Sequence, residues 1–284
     1  MTELRQDRWW ATCRERLAAV IAVDGPIDVP LAALWIAAED RPGLDPVAER
    51  TRLAAFAREA AAGADGIDNP FARYEAVRVH LFENIGLRGN VDDYENPDNS
   101  YLDRVLDTGL GIPISLSIVT VEALREAGFD ARGVALPGHF VVRLERDGRV
   151  LWCDPFHGGT IITEEDCRDL VTRATGRATL FRRADLDGAA PRAILSRLLR
   201  NLKRIWLARE EYGRALATVE RLRIVHPEDA RELRDRGILQ AHLGDPGAAI
   251  ADLEAYLETS PQATDAGSVR GRLVWLRRRM AEPS

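Results

Sequence analysis

Lysine is almost missing from this chain: Lys203 is the only one, and every other side-chain cation is an arginine. Cysteine is scarce as well, with Cys13, Cys153 and Cys167 forming an odd set that lacks metal-ligand spacing. That excludes a disulfide framework and a thiolate zinc site, and it fits a reducing compartment. No apolar run comes near the roughly 20 residues a membrane span requires. The opening MTELRQDRWW is charged early and has no apolar core, so no signal peptide is expected. The expected location is the cytoplasm, with no membrane partner. Positive charge is not in surplus either, and a net charge of −6 gives no reason to expect nucleic acid as the main partner. What is present is ordinary for a globular protein: 46% hydrophobic and 30% charged residues over 284 positions suffice for one large domain or two of usual size.

Helical spacing dominates the first 85 residues. Residues 4–22 place Trp9, Trp10, Cys13 and Leu17 on or near one face, and Asp24-Gly25-Pro26 breaks that helix. Further helices are expected over about 31–39, 46–62 and 70–84, with a linker at 63–69 and no chemistry to name. The stretch 86–113 is then rich in Asn, Asp and Gly, which favour turns and caps. Asn99 or Ser100 is expected to cap a short helix through Leu106, with Asp103 near its first turn. The segment PISLSIVTVEALREAG (113–128) starts on proline, ends on glycine and is apolar on nearly every face until Glu122, as a buried central helix would be.

Two alternating runs flank Asp147-Gly148 within residues 131–156, which is a strong hairpin signal. With a two-residue loop, Arg146 pairs with Arg149, Val142 with Cys153 and Val141 with Asp154. His139 then shares a face with Asp154 as its diagonal neighbour, while Cys153 points the other way toward the core. A carboxylate there can hold an imidazole in one tautomer and stabilise its protonated form. A structural histidine and an aspartate that caps the turn before Pro155 satisfy the same pattern. Next come a short strand and a helix opening near Thr163, where Thr163 and Asp166 form a capping box. A helix followed by antiparallel strands, after an all-helical start, points to an α+β domain.

From about Ala189 the chain reads as helices only. Two segments ending at Pro227 and Pro261 align at a period of 34, matching Gly213 with Gly247 and Ala215 with Ala249. Small residues at a helix crossing with a closing proline at that period are the tetratricopeptide signature. The stretch from Arg197 onward is arginine-dense yet near neutral, so it reads as a solvated, salt-bridged surface. The expected organisation is an α+β domain over 1–188, helical over 1–85 with its motifs over 86–171, and a TPR-like tail over 189–284.

GIPISLS, LPGHF and CDPFHGG, with NPDNSYLDRVL upstream and LRNLKRIWL, RDRGILQAHLG and AIADLEAYL in the tail, resemble the SirB-type transglutaminase-like family over about residues 20–280. The resemblance implies a papain-like fold with a cysteine at the N-terminus of a buried helix, then His and Asp on adjacent strands. His139 and Asp154 match the second and third members. The cysteine would fall around Pro113 to Ser115, and none is there. Ser115 is the one nearby hydroxyl that could replace it; its alternative role is hydrogen bonding in the first helical turn. His157, beside Gly158-Gly159, could line the same cleft; its alternative role is that of a turn histidine. His80, His226 and His242 lack a second ligand at metal spacing, so neither a metal nor another cofactor is expected.

Two functions follow as expectations, beside a purely structural regulator in which the His139–Asp154 pair only ties the hairpin together. One is a non-catalytic, regulatory module that binds a protein or peptide partner through its cleft and helical tail. The other is a hydrolase or acyltransferase using His139 and Asp154 with Ser115 or an activated water. Whether the chain is an enzyme stays open at this point.

Overall fold

Two tryptophans tie the first helices together. Trp9 and Trp10, on α1 (Glu3–Ile21), donate through their indole N–H groups to the carbonyls of Ala38 (2.7 Å) and Glu39 (3.1 Å). Those carbonyls lie in the last turn of α2 (Val29–Asp40), where a helix has few backbone donors left for them. Cys13 and Leu17 continue the buried face of α1, and Arg14 pairs with the buried Glu39 (2.6 Å). α2, α3 (Pro46–Ala62) and α4 (Pro70–Arg78) each begin with proline in the first turn behind an Asp or Asn cap: Asp28, Asp45 and Asn69 accept amide hydrogens there. α4 runs on into one π-helical turn, Val79–Asn84.

The computed structural model describes residues 3–281; the tail expectation for 282–284 lies outside them. The chain divides into two units, Met1–Leu198 and Leu199–Ser284. In the first, β1 (Arg88–Gly89) pairs in parallel with β2 (Leu110–Gly111), on either side of a 3-10 turn (Pro97–Ser100) and α5 (Leu102–Thr108). Here one expectation is corrected. Neither Asn99 nor Ser100 stands at the N-cap of α5, a position held by Tyr101, because residues 97–100 form their own turn behind Asn96. The Asn99 amide instead braces the loop, donating to the Asp93 carbonyl (2.7 Å) and accepting from Asn90 (2.9 Å).

α6 (Pro113–Glu126) is buried along most of its length, as expected. It packs on β3 (Asp130–Val134) and β4 (Val141–Arg146), the first strands of an antiparallel sheet completed by β5 (Arg149–Asp154) and β6 (Thr160–Ile162) in the order β3-β4-β5-β6. Asp147 and Gly148 have φ of 51° and 74°, the positive pair of a tight hairpin turn, and the register runs from Arg146↔Arg149 to Val142↔Cys153 as the sequence requires. One face of the sheet joins Val134, Val141 and the partly buried Trp152 to Cys167, Leu170 and Val171 of α7 (Glu164–Thr175). Thr163 and Asp166 form the expected capping box at its start.

α8 (Pro191–Ala208) leads into α9 (Tyr212–Val225), α10 (Ala230–His242), α11 (Pro246–Thr259) and α12 (Ala266–Ala281). α9 and α11 stand 34 residues apart at both ends, so the repeat read from sequence is a structural repeat. The small residues divide their roles differently from the expectation. Ala215 and Ala249 are fully buried, whereas Gly213 has open space around it; the tight approach falls at Gly237, where an added Cβ would meet Leu253 at 2.9 Å. Nor is the charged surface wholly solvated, since Arg221, Glu232 and Asp252 are buried. Lys203 pairs with Glu232 and Asp235 at 2.8 Å each. Lys203→Met removes the nearest counter-charge from the buried Glu232 and is expected to cost about 2 kcal/mol, read as a lowered urea midpoint. An unchanged midpoint would show that Arg200, 3.6 Å from Glu232, carries that charge alone.

Candidate functional site

Asp154 ends β5, and its carboxylate is the hub of the site. Oδ1 accepts from the Phe156 amide (3.0 Å), fixing the 3-10 turn Pro155–His157. Oδ2 accepts from His139 Nε2 and from His157 Nδ1, each at 2.8 Å. An ionised carboxylate only accepts, so each nitrogen touching it carries the proton. That places the basic lone pair of neutral His139 on Nδ1 and that of His157 on Nε2. Asp154 is 2% and His139 8% exposed, while the His157 side chain is 59% exposed. Burial works to raise the Asp154 pKa, but the hydrogen bonds and charges of His139 and then His157 outweigh it, and the carboxyl is held below its ordinary value.

His139 reaches this carboxylate from just outside β4. The turn Leu136–His139 closes through the His139 amide on the Leu136 carbonyl (3.2 Å), and Gly138 at φ 78° swings the imidazole back toward β5. The hairpin register therefore delivers Asp154, while the turn delivers His139. His139 Nδ1 makes no hydrogen bond among the described residues, and the side chain keeps 10% of its surface exposed. Phe156 walls the site: its ring meets His139 edge-on at 6.1 Å and Tyr94 at 5.9 Å, and lies so close to Gly89 of β1 that a Cβ there would sit 2.5 Å from it.

Sequence reasoning left His157 out of the site. The signal that could have found it is its position three residues after Asp154 across a proline, followed by Gly158-Gly159. Both glycines adopt positive φ, and the Gly159 amide returns to the Asp154 carbonyl (2.9 Å), which folds the ring onto the carboxylate. Among the described residues, His139, Asp154 and His157 form a set whose possible metal-ligating atoms all lie within 4.8 Å of one another. Their mutual hydrogen bonds account for that convergence.

Ser115 lies in the first turn of α6, fully buried, and is not joined to the pair. Its hydroxyl donates to the Asn99 carbonyl (2.5 Å) and accepts the Ile112 amide (3.1 Å). All three cysteines are buried. Burial pushes the Cys153 thiol up to about 12, against a hydrogen bond from Tyr74, and pushes Cys167 up to about 12 as well. Native protein at neutral pH is accordingly expected to resist iodoacetamide, with all three thiols alkylated only in denaturant; intact mass spectrometry reads the difference. Rapid single labelling of the native chain would expose a reactive thiol and contradict this geometry.

An antiparallel sheet packed on a central helix, with a His–Asp pair at its hairpin and tetratricopeptide helices following it in the chain, is the arrangement of a transglutaminase-like α+β protein. Residues 48–200 match the family model for the transglutaminase-like superfamily, and residues 202–274 match that for the tetratricopeptide repeat. The chain belongs to the transglutaminase-like superfamily and, within it, to the UPF0162 proteins. It is 34% identical to the UPF0162 protein of Xylella fastidiosa (strain Temecula1) over 254 residues, covering 88% of this chain and 90% of the relative. It is 32% identical to UPF0162 protein PA3419 of Pseudomonas aeruginosa over 82% of this chain and 85% of the relative. The UPF0162 protein YchA of Escherichia coli K12 is 27% identical over 82% and 86%. No solved structure matches the chain. No helix among the described residues is long and apolar enough to cross a membrane.

Proposed function

We propose that this protein is a SirB-type pseudoenzyme that binds a peptide segment of a protein partner, using the His139 site and the helical tail, and that it acts in the cytoplasm. The observation carrying this reading is the state of the nucleophiles the sequence offers, Ser115 and the three cysteines. Ile112, Pro113 and Ile114 open the helix where a thiol would stand, the Ser115 proton is given to Asn99, and the cysteines are buried. A serine nucleophile would have to break a 2.5 Å hydrogen bond inside the protein before it could meet any base. What remains is an oriented, partly exposed imidazole beside aromatic walls, which suits recognition. In the tail, Trp275, Leu276 and Met280 line a groove of about 730 Å³ with Arg272 and Arg279 beside them. Exposed aromatic and Met side chains flanked by arginine are the usual make-up of a binding hot spot. Tetratricopeptide repeats in general mediate protein–protein contact, which agrees with this use.

The test is selection from a displayed peptide library on the full chain, followed by mass spectrometry of the bound peptides. Enriched peptides recovered intact, with binding weakened by Trp275→Ala or His139→Ala, are the expected result. Recovery of no enriched sequence would refute the binding reading. A second reading has its own support: His139 Nε2 is held by Asp154 while Nδ1 makes no hydrogen bond among the described residues, the state of a general base awaiting a water. Hydrolysed peptides from the native chain but not from His139→Ala would decide for that hydrolase.

A further inference from the structure

Arg197, on α8 within the first unit, is a half-buried cation with no carboxylate partner among the described residues. Its Nη1 donates to the Leu136 carbonyl at 2.5 Å, and this is the same oxygen that accepts the His139 amide at 3.2 Å. The guanidinium also lies over the Phe140 ring, 5.8 Å from its centroid, next along the chain from His139. Comparable arginines of this unit are neutralised: Arg14 by Glu39, Arg41 by Asp103, Arg50 by Asp28 and Glu122. A guanidinium has five N–H donors, and a single carbonyl leaves most of them unspent. Burial holds the Arg197 pKa down, with the Tyr94 phenol acting against that effect. Tyr94 in turn meets Phe156, and Phe156 meets His139. The guanidinium and the His139 backbone amide therefore meet at one backbone oxygen, with Phe140 under the guanidinium and Phe156 against the imidazole.

We propose that Arg197 is the anion-recognition residue of the His139 site, and that the peptide bound there presents a carboxylate to its guanidinium. This rests on the peptide-binding reading above and names the ligand's chemistry. A carboxylate is favoured over a phosphate because one guanidinium balances a single negative charge, whereas a phosphate group carries nearly two. The next cations along α8 are committed elsewhere: Arg200 pairs with Asp229, and Lys203 with Glu232 and Asp235. An unneutralised, partly desolvated guanidinium costs stability in the empty protein, and a carboxylate ligand removes that cost on binding. The carboxylate can come from a peptide C-terminus or from an acidic side chain.

The experiment is a titration of the full chain, labelled at histidine, with three acetylated tripeptides, following the His139 imidazole resonances by NMR. The first is trialanine with its C-terminal carboxylate, the second is its C-terminal amide, and the third is an amide with glutamate at the centre. A saturable shift with the first or third, weakened about tenfold or more in Arg197→Met, is the expected result. Which of the two binds identifies the source of the carboxylate. Arg197→Met keeps an unbranched chain over Phe140, and thermal melting checks that it folds; Arg197→Lys, with charge but no fork, should bind at an intermediate level. If the amide binds as well as the carboxylate peptides, the role of Arg197 is refuted while peptide binding at the site stands. If none of the three shifts His139, the proposal falls, and the library selection above separately decides the broader reading.

Discussion

Asp154→Ala is expected to destabilise the protein by about 3 kcal/mol and to release both histidines from their fixed orientations. The substitution deletes an acceptor that serves three donors at once: His139 Nε2, His157 Nδ1 and the Phe156 amide. The His139 donor is buried and would be left unsatisfied, whereas the exposed His157 can turn to water. Most of the loss should therefore come from the His139 side. Urea unfolding followed by tryptophan fluorescence measures the total, and His157→Ala should cost less than half as much. Equal losses in the two variants would mean that the turn, not the buried imidazole, carries the energy.

The same carboxylate predicts an acid limb. Its folded pKa lies below the unfolded value of about 3.9, so the native state binds its proton less readily than the unfolded chain does. The resulting stabilisation is fully present above the unfolded pKa and is lost as pH falls through the folded one. The stability gap between the native chain and Asp154→Asn should then narrow as pH falls below the unfolded carboxylate value and close once pH has passed through the lower folded one. A gap that stays constant over that window would show that the histidines do not hold the carboxyl down.

Gly138→Ala carries the second large effect, also expected at about 3 kcal/mol. Gly138 has φ 78°, and a Cβ there would stand 2.4 Å from Ala174 Cβ on α7. Backbone strain accounts for about 1–2 kcal/mol and the clash for the remainder. Gly148→Ala, at φ 74° with nothing within 4 Å, isolates the backbone part. The double variant Gly138→Ala with Ala174→Gly should recover part of the difference; no recovery would place the whole cost in the turn. Because Gly138 adjoins His139, the single variant should also disturb the His139 resonances, which Gly148→Ala should leave alone.

How far the site was legible follows from the range of each interaction. Asp147-Gly148 is a local turn signal, and a two-residue loop between alternating runs permits only one register, so Val142↔Cys153 could be worked out beforehand. The capping box at Thr163 and the period of 34 in the tail are local in the same sense. Ser115 could be read either as nucleophile or as a hydrogen-bonding residue of the first turn; its partner Asn99 is 16 residues earlier and reaches it only after the 97–100 turn has formed. His157 reads as a turn residue because two positive-φ glycines bring it back onto Asp154, and spacing alone does not reveal that return. Arg197 lies 61 residues from the Leu136 carbonyl it meets, and nothing near it in sequence distinguishes it from the other arginines of a rich supply.

The α+β class, the helical tail, the hairpin that carries Asp154 and the lack of a cysteine where α6 begins can all be read along the chain without its fold. Each of these is written in periodicity, turn chemistry or residue identity, which act over a few neighbours. Packing alone brings one carboxylate to two histidines, commits the Ser115 proton, and sets a guanidinium from α8 at the oxygen that accepts the His139 amide. Those are outcomes of packing, in which the donors and acceptors of distant segments are desolvated together and must find partners in whatever geometry the fold leaves them.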